Sequence, residues 1–255
     1  MTDLLKDQVA IITGAGRGLG REFALRFARE GARLLLPDID LQRVENTARD
    51  INSAGGEASA IKADISSEDA TLEMAEKVIQ LYGKADILIN NAAMYYGVNN
   101  KPWDAWAVEE WDKMFEVNVK GTWLCCKAIA PLMKKQSHGK IINIASNIAR
   151  VPGASWMLPY ACSKGAVFTM THALARALGK SGINVNAIAP GYTATEASLS
   201  QFDTEKTSKS SISMQSIPRH EEPTDLVGTA VFLASSDSDF ITGQVIYVDG
   251  GLVIL

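Results

Sequence analysis

Cysteine and histidine are scarce in this chain of 255 residues, which holds three of each. Cys125, Cys126 and Cys162 form neither a spaced disulfide framework nor a C-x-x-C with histidines nearby, so no disulfide scaffold and no metal site is expected. The three thiols are expected to be reduced, buried small hydrophobes. Positive charge is not in excess either. A net charge of -4, from 25 Lys and Arg against 29 Asp and Glu, offers no field for nucleic acid or anionic lipid. No apolar run approaches the roughly 18 residues of a membrane span. The acidic opening MTDLLKD lacks the basic and apolar regions of a signal peptide. Tandem repeats and an interdomain linker are also missing. The expectation is one soluble, cytoplasmic domain spanning 1–255 that acts on small molecules.

What the chain does have is a regular alternation of two patterns. Residues 8–13 (QVAIIT) read as a strand buried on both faces. A helical period follows, with Leu19, Phe23, Phe27 and Ala28 on one side and Arg21, Glu22, Arg26 and Arg29 on the other, ended by Gly31. A strand at 32–36 stops at Pro37-Asp38, and a helix at 41–53 ends at Gly55-Gly56. Strand 57–63, helix 67–82 capped by Ser67 and strand 86–90 come next. After a loop rich in Tyr, Asn and Trp, a long helical pattern covers 108–135, in which Pro131 is expected to kink or divide the helix. Strand 140–145, helix 160–180 and strand 184–189 continue the series, which closes with helix 223–234, strand 244–248 and the turn Asp249-Gly250-Gly251. The stretch 193–218 is rich in Ser and Thr without apolar periodicity, and reads as a lid-like insertion. Such alternation predicts a single α/β domain, a doubly wound parallel sheet with helices on both faces.

In that architecture ligands bind beyond the carboxyl ends of the strands. The first such loop is Thr13-Gly14-Ala15-Gly16-Arg17-Gly18-Leu19-Gly20. Its glycines let the backbone turn tightly toward a pyrophosphate, and the next helix offers unpaired N–H groups and a positive dipole end. An ordinary glycine-rich turn is the alternative; the strand before, the helix after, and Asp38, 18 residues past Gly20, argue for a dinucleotide. A carboxylate at Asp38 accepts from both ribose hydroxyls and repels a 2′-phosphate, with Asp40 adding to the repulsion. That favours NAD over NADP, although Arg17 argues the other way.

Tyr160 is the one tyrosine, of six, with a lysine at i+4, Lys164. Residues four apart share a helix face. A free tyrosine has a pKa near 10 and exchanges protons poorly at neutral pH; a neighbouring cation favours the phenolate and is expected to lower that pKa. The pair then suits proton exchange with a substrate hydroxyl or carbonyl.

With T-G-x-x-x-G-x-G at 13–20, Asp64-Ile65, Asn90-Asn91-Ala92, Asn118-Val119-Lys120-Gly121, Ser146, Tyr160-x-x-x-Lys164, Pro190-Gly191 and the terminal D-G-G, the chain resembles the short-chain dehydrogenase/reductases over nearly its whole length. The resemblance implies a Rossmann-type fold and a role for each matching residue. Tyr160 corresponds to the general acid/base, and Lys164 to the residue that lowers its pKa and bonds the nicotinamide ribose. Ser146 corresponds to the hydroxyl that positions the substrate oxygen, and Asn118 to the residue holding a water in the proton relay. Gly14, Arg17, Gly18, Leu19 and Gly20 surround the pyrophosphate. Asp64 and Ile65 contact adenine, Asn91 and Ala92 the neighbouring ribose region, and Pro190, Gly191 and Thr195 the nicotinamide end. A homotetramer is implied as well, built through the helices beginning near Val108 and Tyr160 and the last strand. Three departures stand out. Ala93 replaces a common glycine, the Ser146 to Tyr160 interval of 14 is one residue longer than is usual in the family, and Pro37 restricts the backbone before Asp38.

The segments after the strands predict a substrate pocket from Tyr95, Tyr96, Ser146, Ile148, Gly153, Trp156, Met157 and Tyr192, aromatic and apolar with few charges. A secondary alcohol and ketone pair, aromatic or cyclic, is expected. The alternatives are a 3-oxoacyl-carrier-protein-type ketoreductase and a non-catalytic NAD-sensing protein. Trp103, Trp106 and Trp111 are read first as core.

Overall fold

The computed structural model of the chain describes residues 3–95, 97–151, 154–199 and 204–254, with the backbone alone for 204–207. The expectations placed on Tyr96, Gly153 and residues 200–203 lie outside the described residues. The elements run β1 (Val9–Ile12), α1 (Gly18–Arg29), β2 (Arg33–Asp38), α2 (Leu41–Ser53), β3 (Glu57–Lys62), α3 (Glu68–Tyr82), β4 (Ile87–Asn90) and α4 (Val108–Phe115). A π-helical turn, Glu116–Gly121, joins α4 to α5 (Thr122–Gln136). There follow β5 (Gly139–Ile144), α6 (Leu158–Leu178), β6 (Ile183–Pro190), α7 (Glu196–Leu199), α8 (Thr204–Met214), α9 (Pro223–Ala234) and β7 (Val245–Val248).

The seven strands are parallel and stand in the order β3-β2-β1-β4-β5-β6-β7. Side chains alternate across the sheet, so each strand feeds two cores. Ala10 and Ile12 face α1, α2 and α9, meeting Phe23, Phe27, Val44 and Leu226. Val9 and Ile11 face α3, α5 and α6, meeting Met74, Val78, Ile129 and Leu178. Burial on both faces is why the strands read as continuous apolar runs. The chain winds outward in both directions from β1 and β4, and the crevice between their carboxyl ends is where a ligand enters such a sheet.

Several local expectations need correcting. β2 does not stop before Pro37; it runs through it, with Pro37 opposite Ile61 and Asp38 opposite Lys62. Beyond Leu35, the last partner of β1 on β2, the chain meets Pro37 through Gly14 N, which donates to Pro37 O at 2.9 Å, a bond that uses only the carbonyl proline keeps. Pro131 lies inside α5 without dividing it. It occupies the exposed face, where water can satisfy the carbonyl that its missing N–H leaves. The break falls instead at the π-helical turn, where Thr122 Oγ1 donates to Asn118 O at 2.9 Å. Gly121 there approaches Ile65 so closely that a Cβ would stand 2.8 Å from Ile65 Cδ1. Cys125 and Cys126 are buried, but Cys162 is exposed, on the outer side of α6. The core expectation for the three tryptophans holds only for Trp106, half-buried against the cluster of Val98, Met114, Met157 and Tyr160 with the Lys101 ammonium over its ring; Trp103 is 67% exposed, and Trp111 stacks on Phe115. No helix among the described residues is long and apolar enough to cross a membrane.

Candidate active site

The glycine loop is held by the end of β4. Asn91 donates its side-chain amide to Thr13 O at 2.9 Å and Gly14 O at 3.1 Å, while Thr13 Oγ1 accepts from the N–H groups of Asn91 and Ala92, each at 3.0 Å. Gly14 and Gly18 have positive φ, 68° and 53°, which glycine adopts at no steric cost. Gly20 serves a different purpose. Its Cβ would lie 2.1 Å from Gly14 O, so it is a packing point between helix and loop and does not line the cleft. Arg17, which precedes α1 in extended conformation, makes no side-chain cap bond and borders the cleft with Gly18 and Leu19.

Asp38 reaches back over this loop. One carboxylate oxygen accepts from Gly16 N at 2.8 Å and the other from Asp40 N at 2.9 Å, so Pro37 has not turned it away. Asp40 caps α2 through Arg43 N at 3.1 Å and pairs with the Arg43 guanidinium at 3.1 Å. Its charge is therefore compensated, and its expected share in repelling a 2′-phosphate shrinks. Arg43 was not visible from sequence as a site residue. It also pairs with Glu196 of α7 at 3.3 Å, joining the α2 side of the cleft to the segment after β6. At the far wall Asp64 accepts from Ser66 N at 2.9 Å and Ser66 Oγ at 2.7 Å. Burial works against its charge, but these bonds, with Lys113 and Lys120, hold the carboxyl below its ordinary range.

The glycine loop, Asp38, Asp64 and Ile65 share one cleft of about 720 Å³ with Ser146, Tyr160, Lys164, Pro190, Gly191, Thr193 and Thr195. Tyr160 and Lys164 project from the first two turns of α6, which starts at Leu158 with Pro159 in its first turn. The Tyr160 ring lies 5.1 Å from that of Tyr95 at 45°, and Ser146, just past β5, borders the same cleft. Contrary to the expectation from spacing alone, the Tyr160 pKa is raised. Burial dominates, Tyr95 adds to it, and the nearby Ser146 hydroxyl opposes it. The Lys164 ammonium donates to Ile144 O at 2.8 Å and sits 5.6 Å from the centre of the Tyr160 ring. It is itself buried, which pushes its pKa down from 10.5 to about 8.

Asn118 stands in the π-helical turn behind this pair and does not line the cleft. Its Oδ1 accepts from Met94 N at 2.7 Å, and its Nδ2 donates to Ser163 Oγ at 3.1 Å. Ser163 Oγ in turn donates to Tyr160 O at 2.7 Å.

Tyr95, Ile148, Trp156, Met157 and Tyr192 all border the open end of the cleft, and the Tyr192 hydroxyl donates to Ser198 O at 2.9 Å. The loop between Ser146 and Tyr160 contains short 3-10 turns at Asn147–Ala149 and Ala154–Met157. Ser210, Ser211 and Met214, from the expected lid segment 193–218, also border it, as do Asn100 and Leu252, which sequence reasoning missed. The i, i+1, i+4 spacing of Ser210, Ser211 and Met214 is the helical signal that was available. Thr195 faces the glycine loop: a Cβ on Gly18 would lie 3.7 Å from Thr195 Cβ.

The family model described as enoyl-(acyl carrier protein) reductase matches residues 14–253. The chain is 40% identical over 250 residues to the (2S)-[(R)-hydroxy(phenyl)methyl]succinyl-CoA dehydrogenase subunit BbsD of Thauera aromatica, covering 97% of both chains. It is 35% identical to a 3-oxoacyl-(acyl-carrier-protein) reductase of Thermotoga maritima, covering 98% of this chain and 99% of that one. The crystal structure of levodione reductase superposes with a TM-score of 0.89 at 29% identity, covering 96% of this chain and 97% of the other. With the parallel sheet in this order and these matches over almost its full length, the chain belongs to the short-chain dehydrogenase/reductase family of oxidoreductases.

Proposed function

We propose that this protein is an NAD-dependent dehydrogenase that interconverts a secondary alcohol and a ketone carrying an apolar aromatic or cyclic group. The observation that carries the reading is the meeting, in one cleft, of Ser146, Tyr160 and Lys164 with a glycine loop and the Asp38 carboxylate. The residues fit a dinucleotide. Gly14 and Gly18 border the cleft with positive φ, 68° and 53°, bringing bare backbone to it, and Asp38 offers an acceptor where a ribose belongs. NAD, when bound, supplies the hydride acceptor and a positively charged ring.

The chain's own residues do the rest. Ser146 orients the substrate oxygen, and Tyr160 takes the hydroxyl proton in the oxidation direction. Burial alone holds the phenol proton tightly. A charged Lys164 below about pH 8 favours the phenolate once the site is filled and closed to water. Asn118 braces Tyr160 through Ser163. Tyr95, Ile148, Trp156 and Met157 exclude water around an apolar group. The phenyl group in the name of the Thauera aromatica relative supports an aromatic substrate. The segment 193–218 acts as a lid. A cytoplasmic homotetramer completes the reading, supported by Val108 and Trp123, 69% and 45% exposed on α4 and α5.

The test is to mix the protein with NAD or NADP and a panel of secondary alcohols and follow the absorbance of reduced nicotinamide. Turnover of aryl or cyclic alcohols with NAD is expected. A second reading, a ketoreductase for carrier-bound acyl groups, is favoured by the Thermotoga maritima relative. It predicts reduction of 3-oxoacyl thioesters in preference to any alcohol oxidation. Tight NAD binding with no turnover on either panel would point to an NAD-sensing protein.

A further inference from the structure

Glu221 lies outside every motif in the sequence, in the short run between α8 and α9, yet it is one of the few fully buried carboxylates, 5% exposed. Its side chain reaches the loop that leaves β6. Oε2 accepts from Gly191 N at 2.9 Å and Oε1 accepts from Thr193 Oγ1 at 2.6 Å. Its backbone grips the same loop: Glu221 O accepts from Ala194 N at 2.8 Å, and Thr193 and Glu221 form an isolated parallel bridge. Gly191 has no room to move off this carboxylate. A Cβ there would lie 2.6 Å from Glu221 Oε2 on one side and 3.0 Å from Asp249 Cβ on the other. Thr195, four residues past Gly191, is bonded to Ser198 of α7 and faces Gly18. The loop thus links β6, the dinucleotide cleft and the lid segment, and Glu221 fastens it together with Val248 O, which also accepts from Gly191 N at 3.1 Å.

We infer that Glu221 is a positioning residue which, through simultaneous bonds to Gly191 N and Thr193 Oγ1, holds the loop after β6 in the shape that receives the nicotinamide end of the cofactor. The inference rests on the reading of Gly191 and Thr195 as cofactor-facing.

The groups around Glu221 define its chemistry. Asp249, at the end of β7, is buried and takes donors from Asn147, Gly251, Leu252 and Val253. Asp225, in the first turn of α9, engages Arg219 at 2.6 and 2.7 Å, so this guanidinium is drawn to Asp225. Glu222 adjoins on the chain, and His220 is bonded to Ser208 of α8. Burial pushes the Glu221 carboxyl up to about 7, against the pull of its two hydrogen bonds, and the charges of Asp249 and Asp225 push the same way. The ionised form accepts from both loop donors. The neutral form gives one oxygen to its own proton, so either a loop bond is lost or the Thr193 hydroxyl must reverse. Cofactor hold therefore weakens as pH falls through neutrality.

The measurement is NAD binding to the intact protein without substrate, by calorimetry, for wild type, Glu221→Gln and Glu221→Ala between about pH 6 and pH 8. One hydrogen bond of the ordinary net strength corresponds to roughly a 5- to 10-fold change in Kd. Wild type is expected to weaken by about that factor on going from pH 8 to pH 6, with a midpoint near 7. Glu221→Gln, which keeps the shape but not the charge, should bind at every pH as wild type does at low pH. Hydrogen exchange at the Gly191 and Ala194 amides, measured without cofactor, should quicken in Glu221→Ala. A flat wild-type profile, or a Glu221→Gln variant retaining both the wild-type affinity and its pH dependence, overturns the inference. If Glu221→Ala does not fold, Glu221→Gln decides alone. If wild type binds NAD but oxidises no alcohol, the proposed reaction fails while the Kd profile still judges Glu221. If it binds no dinucleotide, unchanged amide exchange in the variants overturns the positioning role by itself.

Discussion

Lys164 should make this protein less stable than it would be without it. The side chain is 3% exposed, and burial brings its pKa from 10.5 down to about 8. A change of that size corresponds to about 3 kcal/mol that folding spends to keep the ammonium charged at neutral pH. Replacing Lys164 by Met removes that cost and fills the same space, but leaves Ile144 O without the donor now 2.8 Å away, a loss of about 1–2 kcal/mol. The net expectation at pH 7 is a cofactor-free variant more stable by about 1–2 kcal/mol. The unfolded chain binds the extra proton up to its ordinary pKa, whereas the folded chain releases it near 8. Wild-type stability therefore climbs relative to the variant as pH rises from about 8 to 10.5, and near the upper limit the order reverses. Urea unfolding at both ends of that range measures the difference. A Lys164→Met protein that is less stable at pH 7 by an amount that pH leaves unchanged would refute the reasoning. The same variant should lose most turnover, so that stability and activity move in opposite directions.

Three further outcomes follow from the geometry. Asp38→Ser should raise the NADP to NAD ratio of kcat/KM by about 10-fold or more, since removing the carboxylate removes the repulsion of a 2′-phosphate. It should also cost roughly 1 kcal/mol in thermal unfolding, through the lost acceptor for Gly16 N. Gly20→Ala should destabilise the fold by more than about 3 kcal/mol or prevent soluble expression, because its Cβ would lie 2.1 Å from a backbone oxygen; a soluble variant with an unchanged melting temperature would contradict this. Glu221 protonation lends stability that is complete below its ordinary 4.5 and lost as pH rises through about 7, worth about 3 kcal/mol. Glu221→Gln should therefore lose less stability than wild type between about pH 5 and pH 8 in chemical denaturation.

The features legible in the sequence were those that local chemistry dictates. Strands buried on both faces read as apolar runs, as at β5; the glycine loop announced itself through residues no other side chain can replace; and Tyr160 with Lys164 fell on one helix face by spacing alone. What sequence hid depends on the third dimension. The hydrophobic period of α4 and α5 is continuous, so nothing marked the π-helical turn that carries Asn118, and Pro131 drew attention to the wrong place. The pKa of Tyr160 was read from its neighbour four residues on, whereas burial beneath Tyr95 and the cleft wall sets its direction. Arg43 looked like one polar residue of a surface helix until folding set it beside Asp40 and Glu196. Glu221 sits in a run without periodicity, and its partners lie about 30 residues away.

The central claim is that Tyr160 exchanges the substrate proton in an NAD-dependent alcohol oxidation. The direct measurement is formation of reduced nicotinamide from NAD and the best alcohol of the panel, for wild type and Tyr160→Phe, with NAD affinity determined for both. Loss of a positioned acid/base costs about 10² to 10⁴ in rate, so kcat should fall by that factor while NAD binding stays within about 3-fold of wild type. A Tyr160→Phe protein that produces reduced nicotinamide at the wild-type rate would contradict the account.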